Sequence, residues 1–206
     1  MGFPVTVDMS GLSDARKKIL NGVLDVVPSK WPEERFNKAT GGTKIDLEKM
    51  WLTRPTYSTC ESFLGYIGQL IGQGGWAGMS NVMNKSITKK AWVTPDSGST
   101  PKPGDVYHLG AGRLILHVGI VIDVGDTTWW TADFGQGMTK ATAEKFNQEH
   151  SVYNSAIGVT IPGTSAVWSQ YSSFVKRPYN NGRLKGEGGG MVQIAGWADI
   201  DAYLAN

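Results

Sequence analysis

One thiol, three imidazoles and a well-placed carboxylate are the groups in this chain that could do covalent chemistry. Cys60 is the only cysteine, in TYSTCESFLGYIGQL, residues 56–70. Thr59 or Ser58 is suited to cap a helix there, which sets the thiol in its first turn. Unpaired N–H groups and the helix dipole favour a thiolate at that place. The same N–H groups can receive the oxyanion of an acyl-transfer step. Taken alone, a single cysteine is equally well explained as a small buried hydrophobe. A nucleophile also needs a base. His117 opens HVGIVID, where His117, Gly119 and Val121 alternate with Val118, Ile120 and Ile122. That alternation turns His117 to one face of a strand, and Gly119 leaves open space beside it. His108, in PGDVYHLG, and His150, in NQEHS, read as a satisfied core or surface histidine. A third group must orient the base. TTWWTADFGQG offers Asp133, with Thr131 and Gln136 as polar alternatives. Asp133 also suits a turn before Gly135.

These groups need elements to hold them. Ser10 or Ser13 caps a first helix over 13–27, with Ile19, Leu20, Val23, Leu24 and Val27 on one face and Pro28 after it. A second helix starts at Cys60, carries Phe63, Leu64, Ile67, Leu70 and Ile71 at the helical period, and ends in the glycines of 72–78. TPDSGSTPKPG, 94–104, is a loop. Asp105–Leu109, Leu114–Val124 and Thr127–Asp133 read as strands, the last two joined as a hairpin by Gly125-Asp126. That hairpin would bring Asp133 beside His117. Residues 141–150 suit a short helix, and 151–180 read as irregular. GEGGG, 186–190, is a turn between two short strands, and a terminal helix starts near Asp199. Helices followed by an antiparallel meander make an α+β pattern.

The 206 residues suffice for one domain, 1–206, with a full core. It divides into a helical N-terminal part (1–55), a core (56–137) and a C-terminal elaboration (138–206). With 27 glycines, eight tryptophans and 18% charged residues, the composition favours a sheet-rich body. The net charge of +2 has no Lys/Arg block behind it, which argues against nucleic acid. No apolar run reaches membrane-spanning length, so no membrane insertion is expected. The first twenty residues lack the basic start, apolar core and small-residue cleavage site of a secretory signal. There is no HExxH, no CxxC pair and no histidine doublet at ligand spacing, so neither a metal nor a cofactor is expected. The tryptophans could stack on sugar rings, though most such residues are core.

The pieces TCESFLGYI, PKPGDVYHL, HVGIVID and WWTADFGQG, in this order, resemble the papain-like cysteine peptidases of the NlpC/P60 and CHAP group. The resemblance covers about residues 56–137. It implies a papain-like fold with helices packed on a central antiparallel sheet. It implies Cys60 as nucleophile, His117 as base and then acid, and Asp133 as orienting residue, with Thr131 and Gln136 as the other choices for that third role. The Tyr57 hydroxyl could add to an oxyanion hole, but a packing aromatic is the preferred reading of it. The chain departs from the group at the nucleophile, where Thr-Cys-Glu-Ser replaces the common Asp-Cys-Ser-Gly, and at the third residue, often His or Asn. The implied substrate is an amide or peptide bond in the peptide stem of bacterial peptidoglycan. With no export signal, the expected setting is an antibacterial effector made in the cytoplasm. It would be exported by a dedicated route such as type VI secretion to act in a target's periplasm, with an immunity protein and a secretion component as partners. A phage-type lysin, a thiol acyltransferase or deamidase on the same scaffold, and a non-catalytic glycan-binding domain are the alternatives.

Overall fold

The structure is a computed structural model that describes residues 5–26, 59–76, 78, 80–139, 151–155, 158–160, 166–186 and 190–205. Helix α1 spans Asp14–Val26. Ser13 caps it: its Oγ accepts from the Arg16 backbone N–H at 3.3 Å, and its carbonyl from Lys17 N–H at 3.0 Å. Thirteen residues make a marginal helix in isolation, so tertiary burial of Ile19, Leu20 and Val23 must hold it. Helix α2 spans Thr59–Leu70. It stops where Gly72 takes φ +73°, a left-handed conformation that glycine adopts without a Cβ penalty. A helix that the apolar spacing did not reveal, α3, spans Asn81–Thr88; only Val82, Met83 and Ser86 of it are buried.

Strands follow: β1 (Trp92–Val93), β2 (Val106–Ala111), β3 (Leu114–Val124), β4 (Thr128–Thr139), β5 (Ser151–Ser155), β6 (Gly158–Thr160), β7 (Ala166–Asn180), β8 (Arg183–Lys185) and β9 (Met191–Ala198). The chain closes with α4, Ile200–Ala205. Seven strands form an antiparallel sheet in the order β1-β9-β2-β3-β4-β7-β5, with β6 on β7. β8 bonds to both β7 and β9, so the path β9-β2-β3-β4-β7-β8 returns to β9 and the sheet curls back on itself.

The α+β order and the β3–β4 hairpin stand as expected. Residues 151–180 do not: they supply β5, β6 and the fifteen-residue β7. Serines and a lysine interrupt the apolar alternation of β7, but its backbone is paired along β4, from Pro178 opposite Thr128 to Ala166 opposite Thr139. β4 likewise runs six residues past Asp133, through glycines that read as a turn. The C-terminal stretch completes the sheet, since β9 lies between β1 and β2. The helix expected over 141–150, and His150 with it, lie outside the described residues.

Two apolar clusters occupy the two sides of the curled sheet. The helix side gathers Ile19, Leu20, Cys60, Phe63, Leu64 and Ile67 with Val118, Ile120, Ile122, Ala132 and Phe174. The inner side gathers Tyr107, Leu109, Val121, Trp129, Leu184, Ile194 and Trp197. The period-two alternation of β3 and β4 produces this division. An ion cluster fastens the ends of the chain. Arg16, fully buried on α1, meets Asp105 at 2.8 Å, Asp199 at 3.0 Å and Asp201 at 2.7 Å. Asp105 also accepts the N–H of Lys102 and of Ile200, at 2.7 and 3.0 Å. The Pro-Gly-Asp before the first long strand thus has a structural role.

Candidate active site

His117 and Asp133 meet on the inner side of the sheet. Their strands pair with Gly119 opposite Asp133, so the carboxylate lies diagonally across from the imidazole. His117 Nε2 is 2.6 Å from Asp133 Oδ1. The space that Gly119 leaves is used by this pair. A Cβ there would stand 2.6 Å from Asp133 Oδ1 and 2.7 Å from the Tyr107 ring, so any larger residue would push the carboxylate away.

Both side chains are buried, His117 at 3% and Asp133 at 4% exposure. A buried carboxylate needs partners, and Asp133 has them on both oxygens. Oδ1 accepts from the Tyr107 hydroxyl as well as meeting His117. Oδ2 accepts from the Thr131 hydroxyl and from Arg177, whose Nη2 is 3.1 Å away. Burial would raise the Asp133 pKa, but the Arg177 guanidinium and His117 outweigh it and hold the carboxyl well below the usual carboxylate range. Asp133 is therefore a fixed anion, with the acceptor sites of an aspartate filled. A fixed anion at Nε2 selects the tautomer with its proton there and makes Nδ1 the basic nitrogen.

Cys60 is 2% exposed in the helix-side cluster, at the second position of α2. α2 lies against β3 and β4, the strands of His117 and Asp133. β3 carries an extra residue just before His117: Leu109 pairs with His117 but Gly110 with Ile115. The bulge breaks the alternation, so Ile115 borders the Cys60 cluster while His117 turns inward. Cys60 thus lies with the helix-side cluster, and His117 follows the point where β3 changes face.

Among the other candidates, Thr131 bonds to Asp133 and takes a supporting place. Gln136 lies in β4 opposite Ser169, past an irregularity at Phe134, and its side chain is outside the described residues. Tyr57 and Ser58 are outside them too. Tyr107 and Arg177 were not legible as site residues. The alternation of PGDVYHL could have flagged Tyr107, since it puts tyrosine and His108 on opposite faces. Arg177 lies in a stretch that lacked a strand signal. Among the described residues, no three His, Cys, Asp or Glu side chains are gathered as metal ligands.

His108 is buried as expected but poorly satisfied: neither ring nitrogen makes a hydrogen bond of good geometry, the Val106 backbone being only a weak partner. It packs edge-on to Trp92 at 5.0 Å. Burial pushes its pKa down to about 3, the Val106 backbone opposing only in part. Its neutral form is then bound in the fold while the unfolded chain takes up a proton, so its contribution to stability falls as pH drops below about 6.5. His108→Leu is expected to stabilise the fold by about 1–3 kcal/mol by removing two poorly satisfied nitrogens. The gain should be larger at pH 4.5 than at pH 7. Urea denaturation at both values checks this, and a loss at both would show that the nitrogens are well satisfied. Set against known proteins, the chain matches no family model, no curated protein and no solved structure.

Proposed function

We propose that the chain is a papain-like cysteine hydrolase that cleaves an amide or peptide bond in the peptide stem of bacterial peptidoglycan. The carrying observation is the buried His117–Asp133 pair at 2.6 Å, its carboxylate held ionised by Arg177. A histidine oriented in this way is the base that a helix-borne thiol requires. In the mechanism His117 takes the Cys60 proton at Nδ1 and the thiolate attacks the amide carbonyl. The first N–H groups of α2 receive the oxyanion. The imidazolium then gives its proton to the leaving amine, and neutral His117 activates the water that clears the acyl-enzyme. Asp133 stabilises the imidazolium and does not take the proton. The substrate class rests on the ordered motifs around Cys60, Asp105, His117 and Asp133, which resemble those of the NlpC/P60 and CHAP peptidases. Delivery into a rival's periplasm, with an immunity protein in the producer, fits that substrate.

A second reading has its own observation. Cys60 is 2% exposed among apolar side chains, as expected of an inert cysteine in a non-catalytic glycan-binding domain. Digestion of purified peptidoglycan by wild type and Cys60→Ala separates the two. Muropeptide release that the variant loses supports the hydrolase, and product masses name the bond. Equal release by both proteins would remove Cys60 from the mechanism. No release by wild type, with slow iodoacetamide labelling of Cys60, would favour the non-catalytic domain.

A further inference from the structure

Arg177 enters the inner side of the sheet from β7 and is 1% exposed. Its contacts span three other places. Nη2 lies 3.1 Å from Asp133 Oδ2, and Nε lies 3.3 Å from the same oxygen. Nε is also 3.2 Å from the Thr131 hydroxyl, and Nη1 donates to the Lys185 carbonyl at 2.6 Å. A guanidinium is planar, so contacts in these directions fix its plane as well as its position. An arginine is rarely buried this deeply without paired charge, and a place that needed only filling would suit leucine or methionine.

The carboxylate of an aspartate turns readily about its last bond. Arg177 and Thr131 both hold Oδ2, which leaves Oδ1 aimed at His117. The positive charge also offsets part of the negative field that Asp133 would otherwise exert on the imidazole. Tyr107 from β2 and Thr131 from β4 are neutral. His108, on the opposite face of β2, is buried and neutral as well.

We infer that Arg177 is a positioning residue for the proposed hydrolase: it grips Oδ2 of Asp133 so that Oδ1 keeps the His117 proton on Nε2 and leaves Nδ1 as the base. The catalytic meaning rests on the hydrolase reading, but the coupling belongs to the folded chain and is measurable without substrate. Nitrogen-15 NMR of the imidazoles, across pH, in wild type, Arg177→Met and Arg177→Lys reads both tautomer and proton affinity. Wild-type His117 should be a single Nε2–H tautomer when neutral. Arg177→Met should mix the tautomers and raise the His117 pKa by about one unit, a tenfold gain in proton affinity. Arg177→Lys keeps the charge but not the fork, so the pKa should stay near wild type while the tautomers mix. The acid limb of muropeptide release should move up in pH with the Arg177→Met pKa. Folded variants with the wild-type tautomer and pKa would overturn the inference. If Arg177→Met does not fold, an unchanged tautomer in Arg177→Lys does so alone. If wild type releases no muropeptide, the hydrolase falls, and the NMR result still decides what Arg177 does to His117.

Discussion

Asp133→Asn is expected to lower muropeptide release by about 10⁴-fold, and to cost the fold about 3–5 kcal/mol. The two effects have different causes. The amide that replaces Oδ1 or Oδ2 cannot satisfy both sides of the site. If its oxygen faces Arg177, its NH₂ faces His117 Nε2 and selects the tautomer with the proton on Nδ1, which cannot accept from a thiol. If it faces His117, the NH₂ meets a guanidinium that is itself only a donor. Either way Arg177 keeps a buried charge without its anion, which is the costly half of a broken ion pair. The pH dependence has a definite sign. The folded pKa of Asp133 lies below its unfolded value, so its stabilisation is fully present above about pH 4 and is lost as pH falls further. The variant should therefore have a flatter stability profile below pH 4 than wild type. Urea titration from pH 2.5 to 7 and the pH–rate curve of wall digestion measure both effects. A loss of less than tenfold in rate, with stability intact, would mean that Asp133 does not orient the base.

The sequence made the His117–Asp133 pair visible because both ends of that argument are local. Val, Ile, Trp and Thr mark β3 and the start of β4, and Gly125-Asp126 joins them. The turn register carried on unbroken would set Asp133 opposite Ile120, on the helix side; an extra residue in β3 between Val121 and Asp123 shifts it opposite Gly119 and onto the face of His117. The expected bounds of β3, Leu114–Val124, are those of the structure. What lay out of sight was nonlocal. β7 is recruited by pairing with β4 across the chain, so its strand character comes from its neighbour more than from its own composition. Arg177 could not be placed until that strand was, and the charge that fixes Asp133 went unread with it. The bulge before His117 was hidden for a related reason. Nothing in Leu114-Ile115-Leu116-His117 announces an extra residue, because the irregularity exists only against the register of β2.

Arg16 makes the same point for the scaffold, and its replacement carries the second large effect. Arg16→Met is expected to destabilise the protein by about 3–5 kcal/mol. Burial already pushes the Asp105 pKa up to about 6, against the pull of Arg16 and of two backbone N–H groups. The pair is unequal: burial also works against the Arg16 charge, but Asp105 and Asp201 outweigh it and raise the guanidinium's pKa. Without Arg16, ionised Asp105 has no other ion-pair partner among the described residues, so its pKa must climb further. The sign runs opposite to that of Asp133. A raised folded pKa makes the ionised form a burden, absent below the unfolded value near 4 and fully present above the folded one. The deficit of Arg16→Met should accordingly be larger at pH 8 than at pH 4.5. A second change isolates the cause. Asp105→Leu in the same chain removes the stranded anion and should recover part of the loss, because an apolar pair of similar size can replace a buried ion pair. Thermal and urea unfolding of the single and double variants at both pH values give the coupling directly. A deficit that ignores pH and the second change would mean that Arg16 acts by packing alone, with Asp199 and Asp201 as surface company to a filler side chain.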